Sequence, residues 1–275
     1  MRVDVWYLIG NALHTRVTLQ AQLDALDVSL SAETPKEVNP CFYLFKLWPA
    51  ALEERYIQLL CKYRPNSRIV VDSFVPEKYA AGKNRKARRL YAFGVNRARN
   101  ECIKESFASG ADYCFPLDCR HYISSAGWLK LIQDLNSQPE YGYYIMGQGQ
   151  LSEGESPERD ITTIDFWEGD LKFSEVREYL IGFGGSHDIK YHSALSYGQD
   201  CRTELLASLG IPGGWSKKHT TIRHSDHYGN YGKGSYAMLL PSGRKELDTN
   251  LEERRRVQQW AVSERLQEYE DLFMT

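Results

Sequence analysis

The chain has no apolar run approaching the roughly 18 residues that a membrane-spanning helix needs. Its first residues, Met1-Arg-Val-Asp-Val-Trp-Tyr-Leu-Ile9, lack the long apolar core and small-residue cleavage site of a secretory signal, so a cytoplasmic protein without a membrane span is expected. Cysteine is sparse: six are scattered through the chain with no Cys-x-x-Cys pair, which excludes a zinc ribbon or a disulfide framework. Most are expected to be small buried apolar residues, with Cys119 set apart because it falls in a polar turn. An excess of one charge sign is also missing. The net charge is −2, from 34 Lys and Arg against 36 Asp and Glu, so no global field draws the protein to nucleic acid or anionic membrane, although a local patch still can. There is no internal repeat and no low-complexity linker.

What is present is ordinary globular material: 275 residues, 42% hydrophobic and 25% charged, enough to bury a large core. Val3–Ile9 and Cys41–Leu47 read as buried strands, and Arg68–Asp72 as a shorter one. Between them, Thr18 to Leu26 and Ala50 to Tyr63 carry apolar residues at helical spacing, the second with Pro49 at its start. Ser29 to Pro40 reads as a loop. This alternation predicts an α/β fold with a mostly parallel sheet. Further on, Trp128–Leu135 reads as a helix and Gly142–Gly147 and Ile161–Phe166 as strands. Ser152–Asp160 reads as an exposed loop, and Thr203–Leu209 as a short helix stopped by Gly210 and Pro212. Gly213 to Gly243 is expected to form loops and short strands. After Asp248-Thr249 an apolar stripe, including Val257, Trp260, Leu266, Tyr269 and Phe273, predicts a C-terminal helix packed back on the rest. The expected division is residues 1–245 as one domain and 246–275 as this helical extension.

The most informative stretch runs from Gly94 to Ser124. A basic-headed helix leads to a turn at Gly110, then to the short apolar strand Tyr113–Leu117, which runs into a polar turn carrying Asp118 and Arg120. A carboxylate at the C-terminal end of a buried strand lies where α/β sheets hold ligands, though a strand-terminal Asp also serves simply to form a turn. Ahead of it, seven cations and no carboxylate lie between Lys83 and Arg99. Such a run reads either as a solvated helix face or as a grip for a polyanion.

Ala98-Arg99-Asn100, followed by a helix and then by Gly110-Ala-Asp-Tyr-Cys-Phe-Pro-Leu-Asp118-Cys-Arg120, resembles the core of the large inverting family of GT-A glycosyltransferases. In that family an Ala-Arg-Asn helix start precedes a hydrophobic strand ending in Asp-x-Asp. The resemblance implies a GT-A-like, Rossmann-like sheet flanked by helices and transfer of a sugar from a UDP-sugar donor to an acceptor hydroxyl. Asp72 matches the Asp that contacts the uridine. Arg99 follows it by 27 residues and Asp118 follows Arg99 by 19, in the family's order. Arg97 and Arg99 would line the donor site.

The second carboxylate of the motif is replaced by Arg120, which puts the family's metal in question. Either Arg120 meets the diphosphate directly, or Mg²⁺ or Mn²⁺ is still held by Asp118 with the diphosphate and water. His224 and His227, within the chain's densest His cluster, are candidates to complete such a metal site. The run Gly185-Ser-His187-Asp188 falls near the family's base motif, which makes Asp188 the expected base and His187 the second choice. Three readings of function stay open. They are a glycosyltransferase acting on a glycan, one acting on a hydroxymethylated base in phage-type DNA, and a catalytically silent nucleotide-sugar or glycan-binding module.

Overall fold

The computed structural model of the chain describes residues 1–13, 17–151, 178–185, 190–197, 199, 202–211, 225–243 and 251–274. The expected α/β fold is present, as one eight-stranded sheet flanked by helices. Its first half is parallel: β1 (Val3–Ile9) lies between β2 (Val38–Phe45) and β4 (Tyr113–Asp118), with β3 (Arg68–Asp72) outside β2. Beyond β4 the sheet is mixed. Antiparallel β7 (Glu178–Gly184) pairs with β4 and with β6 (Tyr143–Gln150). β8 (Gly232–Leu239) joins β6 in parallel and pairs antiparallel with the two-residue β5 (His121–Tyr122). The full order is β3-β2-β1-β4-β7-β6-β8-β5.

The strand pleat divides the core into two layers. Val3, Val5, Tyr7 and Ile9 of β1 enter one apolar cluster, whereas Trp6 and Leu8 enter another on the opposite face. This two-residue alternation explains why the sequence of β1 is apolar without interruption: both faces are covered. The first face is covered by α1 (Leu19–Ser31), α2 (Ala50–Tyr63) and α6 (Ser125–Ser137), through Leu23, Leu26, Tyr56, Leu60, Trp128 and Leu131. The second is covered by α5 (Val95–Ala108) and α7 (Thr203–Ser208), through Ala98, Cys102, Ile103, Leu205 and Leu206.

Thr18 caps α1, its hydroxyl accepting from the Ala21 N–H at 3.0 Å, and Ser124 caps α6 in the same manner at 3.1 Å. Helix α1 continues to Ser31 and β2 starts at Val38, so the expected Ser29–Pro40 loop is shorter than its polar composition suggested. The turn after α5 has Gly110 at φ +81°, a conformation that favours glycine.

The C-terminal helix, α8 (Leu251–Phe273), packs on a separate aromatic cluster. Tyr269 stacks on Phe93 at 6.2 Å between ring centroids, and lies 5.0 Å from Phe74. Phe74, Tyr79 and Phe93 flank α3 (Pro76–Ala80) and α4 (Arg85–Phe93). Tyr91 and Phe93 therefore face a core, and part of the basic run is structural. Arg88 donates to Glu270 of α8 at 2.8 and 3.2 Å, while Arg89 bonds the Ser196 hydroxyl at 2.7 Å and the Tyr197 carbonyl at 3.1 Å. A solvated helix face, one of the two readings of the basic run, does not describe these two residues. The expected strand Ile161–Phe166 and loop Ser152–Asp160 lie outside the described residues.

Candidate functional site

In an open α/β sheet, ligands bind beyond the carboxyl ends of parallel strands, where the strand order reverses. Here the chain builds β1, β2 and β3 outward on one side and then returns to place β4 on the other side of β1. The reversal lies between β1 and β4, and Asp118 is the last residue of β4, in register with Leu8. The pleat also decides which way Asp118 faces. Tyr113, Phe115 and Leu117 belong to the layer of α1, α2 and α6, and Cys114 to that of α5 and α7. Asp118, with the parity of Cys114, therefore belongs to the α5/α7 face.

Two guanidiniums from that face grip it. Arg99 of α5 donates from Nη2 to Asp118 Oδ1 at 3.0 Å, and Arg202, the residue preceding α7, donates from Nη2 to Oδ2 at 3.0 Å. Both arginines are buried, at 2% and 5% exposure, whereas the Asp118 side chain is 36% exposed. Burial works against the charged carboxylate, but Arg99, Arg202 and His121 outweigh it and hold its pKa well below the usual carboxylate range. Asp118 is anionic at any physiological pH.

A second layer fixes the arginines. Arg99 Nη1 donates to Asn96 Oδ1 at 3.1 Å, and its guanidinium lies 5.3 Å from the ring centre of Tyr191. Arg202 Nη1 reaches Gln148 Oε1 at 3.3 Å. The same oxygen lies 2.8 Å from His121 Nε2, and His121 Nδ1 accepts the backbone N–H of Asp118 at 2.9 Å. These contacts close a ring of hydrogen bonds through Asp118, Arg202, Gln148 and His121.

The matching end of β3 carries Asp72, which pairs with Lys46 Nζ at 2.5 Å. Lys46 follows β2, is buried, and has φ +48°, a left-handed conformation that costs free energy in a residue with a Cβ. Its ammonium also bonds the Ser73 carbonyl at 3.1 Å and lies 4.4 Å over the Tyr91 ring. Asp72 and Asp118 thus end two parallel strands on the same side of the sheet, each held by basic side chains.

The other expected site residues distribute as follows. Arg97 is exposed, two residues before the buried Arg99 and so on the opposite side of α5. Arg120 is buried in the turn after β4, where its carbonyl accepts from the Leu240 N–H at 2.9 Å; it is Arg202, not Arg120, that bonds Asp118. Cys119 packs in the core, and burial pushes its thiol up to about 12, which leaves no reactive thiolate there at neutral pH. His227 contacts Tyr143 at 5.1 Å between ring centroids. Tyr143 pairs with Phe183, which pairs with Cys114, so His227 is at the far end of β4 and the structure does not bring it to Asp118. His187, Asp188 and His224 lie outside the described residues. The strand that leads to His187 and Asp188, β7, ends at Gly184 beside Tyr113, the end of β4 opposite Asp118.

The Asp118 carboxylate is engaged by cations rather than by other carboxylates. Both carboxylate oxygens accept from guanidiniums, and no group of three or more His, Cys, Asp or Glu among the described residues could hold a metal ion.

No known family profile and no curated protein matches the chain. Solved structures similar to it include two of Staphylococcus aureus TarS. Residues 1–349 of TarS align at 12% identity and TM-score 0.46 over 87% of this chain and 60% of that one. A longer TarS structure aligns at 11% identity and TM-score 0.49 over 88% of this chain and 37% of that one. This chain thus spans less than two thirds of either. Likeness at this level assigns no family.

The residue that sequence reasoning missed is Arg202. It stands 84 residues after Asp118, and nothing local marks it; only the placement of α7 on the α5 face reveals it. Lys46 was missed for a similar reason, since a lone Lys after a strand gives no signal until its φ and its Asp72 contact are seen.

Proposed function

We propose that the protein is a glycosyltransferase that uses a UDP-sugar and transfers the sugar, with inversion, to an acceptor hydroxyl. One observation carries the reading: a carboxylate at the topological switch point, Asp118, gripped by two buried arginines that come from different helical elements. A diphosphate is doubly charged and leaves with increased charge on its terminal phosphate, so fixed guanidiniums beside it stabilise the transition state more than the ground state. In this reading Asp118 orients Arg99 and Arg202, Asp72 meets the nucleoside, and Arg97 lies on the donor side. Arg120 supports the turn. The guanidiniums supply the charge that a metal supplies elsewhere.

A base takes the proton of the acceptor hydroxyl as its oxygen attacks the anomeric carbon. The bond from that carbon to the β-phosphate oxygen breaks on the opposite face, and UDP departs with the bonding electron pair. We take the base from the family resemblance, as Asp188, four residues beyond the end of β7, with His187 beside it. Asp200 is the alternative, because it precedes by two residues the Arg202 that touches Asp118. A glycan is the favoured acceptor. The DNA reading is weakened at Arg88, which Glu270 engages, whereas Lys86 and Arg89 have no carboxylate partner among the described residues.

The test is release of UDP from UDP-glucose, UDP-galactose and UDP-N-acetylglucosamine by the wild type, Asp188→Asn and Asp200→Asn. Loss of turnover by about 10²–10⁴-fold in Asp188→Asn with UDP affinity retained supports the assignment. Loss confined to Asp200→Asn moves the base to the segment beside Arg202. No turnover with any donor, combined with intact UDP binding, replaces the enzyme with a nucleotide-sugar-binding module.

A further inference from the structure

A second concavity lies apart from the Asp118 ring of hydrogen bonds. It measures about 390 Å³ and opens between α4, α8 and the chain at Ser196 and Gln199, a volume suited to a small ligand. Arg85, Lys86 and Arg89 line it, with Ser196, Gln199 and Ser263, and no carboxylate belongs to the lining.

The balance of charge in this pocket is uneven. Arg85 shares Glu270 with Arg88, at the longer distance of 3.8 Å. Arg89 is half-buried and bonds only neutral groups, through Nε to Ser196 and Nη2 to Tyr197, which leaves Nη1 without a partner among the described residues. Lys86 is exposed and pairs with no carboxylate among the described residues. Among the described residues, two cations therefore face the pocket without a counter-charge. Burial, followed by repulsion from Arg85, lowers the pKa of Arg89, the response of a cation that an anion would relieve.

The neutral wall is ordered in advance. Gln199 Oε1 accepts both the Ser196 N–H at 2.9 Å and the Ser196 hydroxyl at 2.8 Å, and that hydroxyl in turn accepts from Arg89. Ser196 is fully buried. This arrangement commits the Gln199 oxygen to the protein and leaves its NH₂ group as a donor at the pocket. Guanidinium, ammonium and amide donors around a cavity of this size match a phosphate group with a small polar body attached.

We propose that this pocket binds a small phosphate ester, at a site distinct from the one that holds the donor diphosphate. Arg89 and Lys86 grip the phosphate, Gln199 completes its hydrogen bonds, and Ser263 and Leu266 of α8 bound the space around the organic part. The proposal stands on the pocket alone and does not require the donor assignment.

The test is calorimetric titration of the full chain with glycerol 3-phosphate, inorganic phosphate and glycerol, each with and without saturating UDP. The expected result is saturable binding of glycerol 3-phosphate that is unchanged by UDP, weaker for inorganic phosphate and absent for glycerol. Lys86→Glu, an exposed substitution that leaves the core intact, should weaken it by about tenfold or more, since it turns a close attraction into repulsion. Arg89→Lys keeps the charge but not the fork and should weaken it less. Four results would overturn the proposal: no binding of the ester, equal affinity for inorganic phosphate, insensitivity to Lys86→Glu, or displacement by UDP. Failure of UDP itself to bind would count against the donor assignment and leave this test standing.

Discussion

Replacing Arg202 by methionine isolates the grip on Asp118. Arg202 is 5% exposed and, among the described residues, bonds Asp118 at 3.0 Å and Gln148 at 3.3 Å. Removing one member of a buried ion pair costs about 3–5 kcal/mol when the other is left uncompensated. Here Asp118 keeps Arg99, is 36% exposed, and can recruit water; Gln148 keeps His121. The expected loss is therefore smaller, about 2–3 kcal/mol, read as a fall in the urea midpoint at neutral pH with an unchanged slope.

Asp118→Asn leaves two buried guanidiniums facing a neutral amide and should cost at least as much. Because the two residues touch, the double variant should lose less than the sum, with a coupling of about 1–2 kcal/mol. Additivity to within about 0.5 kcal/mol would refute the claim that Arg202 and Asp118 act as a unit. The coupling also has a sign with pH. The Asp118 carboxyl is depressed in the folded state, so its contribution is fully present above the unfolded value of about 3.9 and is lost as pH falls through the folded one. The stability gap between wild type and Asp118→Asn should narrow below about pH 4. A gap that widens on acidification would contradict the assignment.

Three further outcomes follow from the packing. Glu270→Gln removes the carboxylate that holds Arg88, both side chains being less than one-fifth exposed; it should destabilise the docking of α8 by about 1–3 kcal/mol, seen as faster proteolysis near the C-terminus. Among the described cysteines Cys61 is exposed and Cys41, Cys102, Cys114 and Cys119 are buried. Iodoacetamide at pH 8 should therefore modify Cys61 and spare Cys119 until the protein is unfolded, as mass spectrometry of the peptides would show. Gly182→Ala would place a Cβ 2.0 Å from the Phe115 ring, in a core with no room to give, and should lower stability by about 1–3 kcal/mol; a neutral effect would mean that β7 is less tightly seated on β4 than described.

Much of the sheet was legible because its strands are buried on both faces and its helices carry clear stops. Val3–Ile9, Ala50–Tyr63 and Arg68–Asp72 coincide with their expected bounds. The order of strands was not legible, since nothing local in β7 declares that it runs antiparallel between β4 and β6. The site was legible where it is local, at Asp72, Arg99 and Asp118, which end strands or begin a helix. Arg202 and Lys46 were hidden because their roles depend on which face a distant helix covers and on one left-handed residue. The basic run misled in part, since composition does not distinguish an arginine in solvent from one that clamps a C-terminal helix.

The most direct test of the central claim is titration of the protein with UDP in EDTA, for the wild type and for Arg202→Met. The account predicts saturable binding without a divalent cation and at least about tenfold weaker binding in the variant, a change of about 1.4 kcal/mol. Binding that appears only with Mn²⁺, or that is indifferent to Arg202, would contradict it.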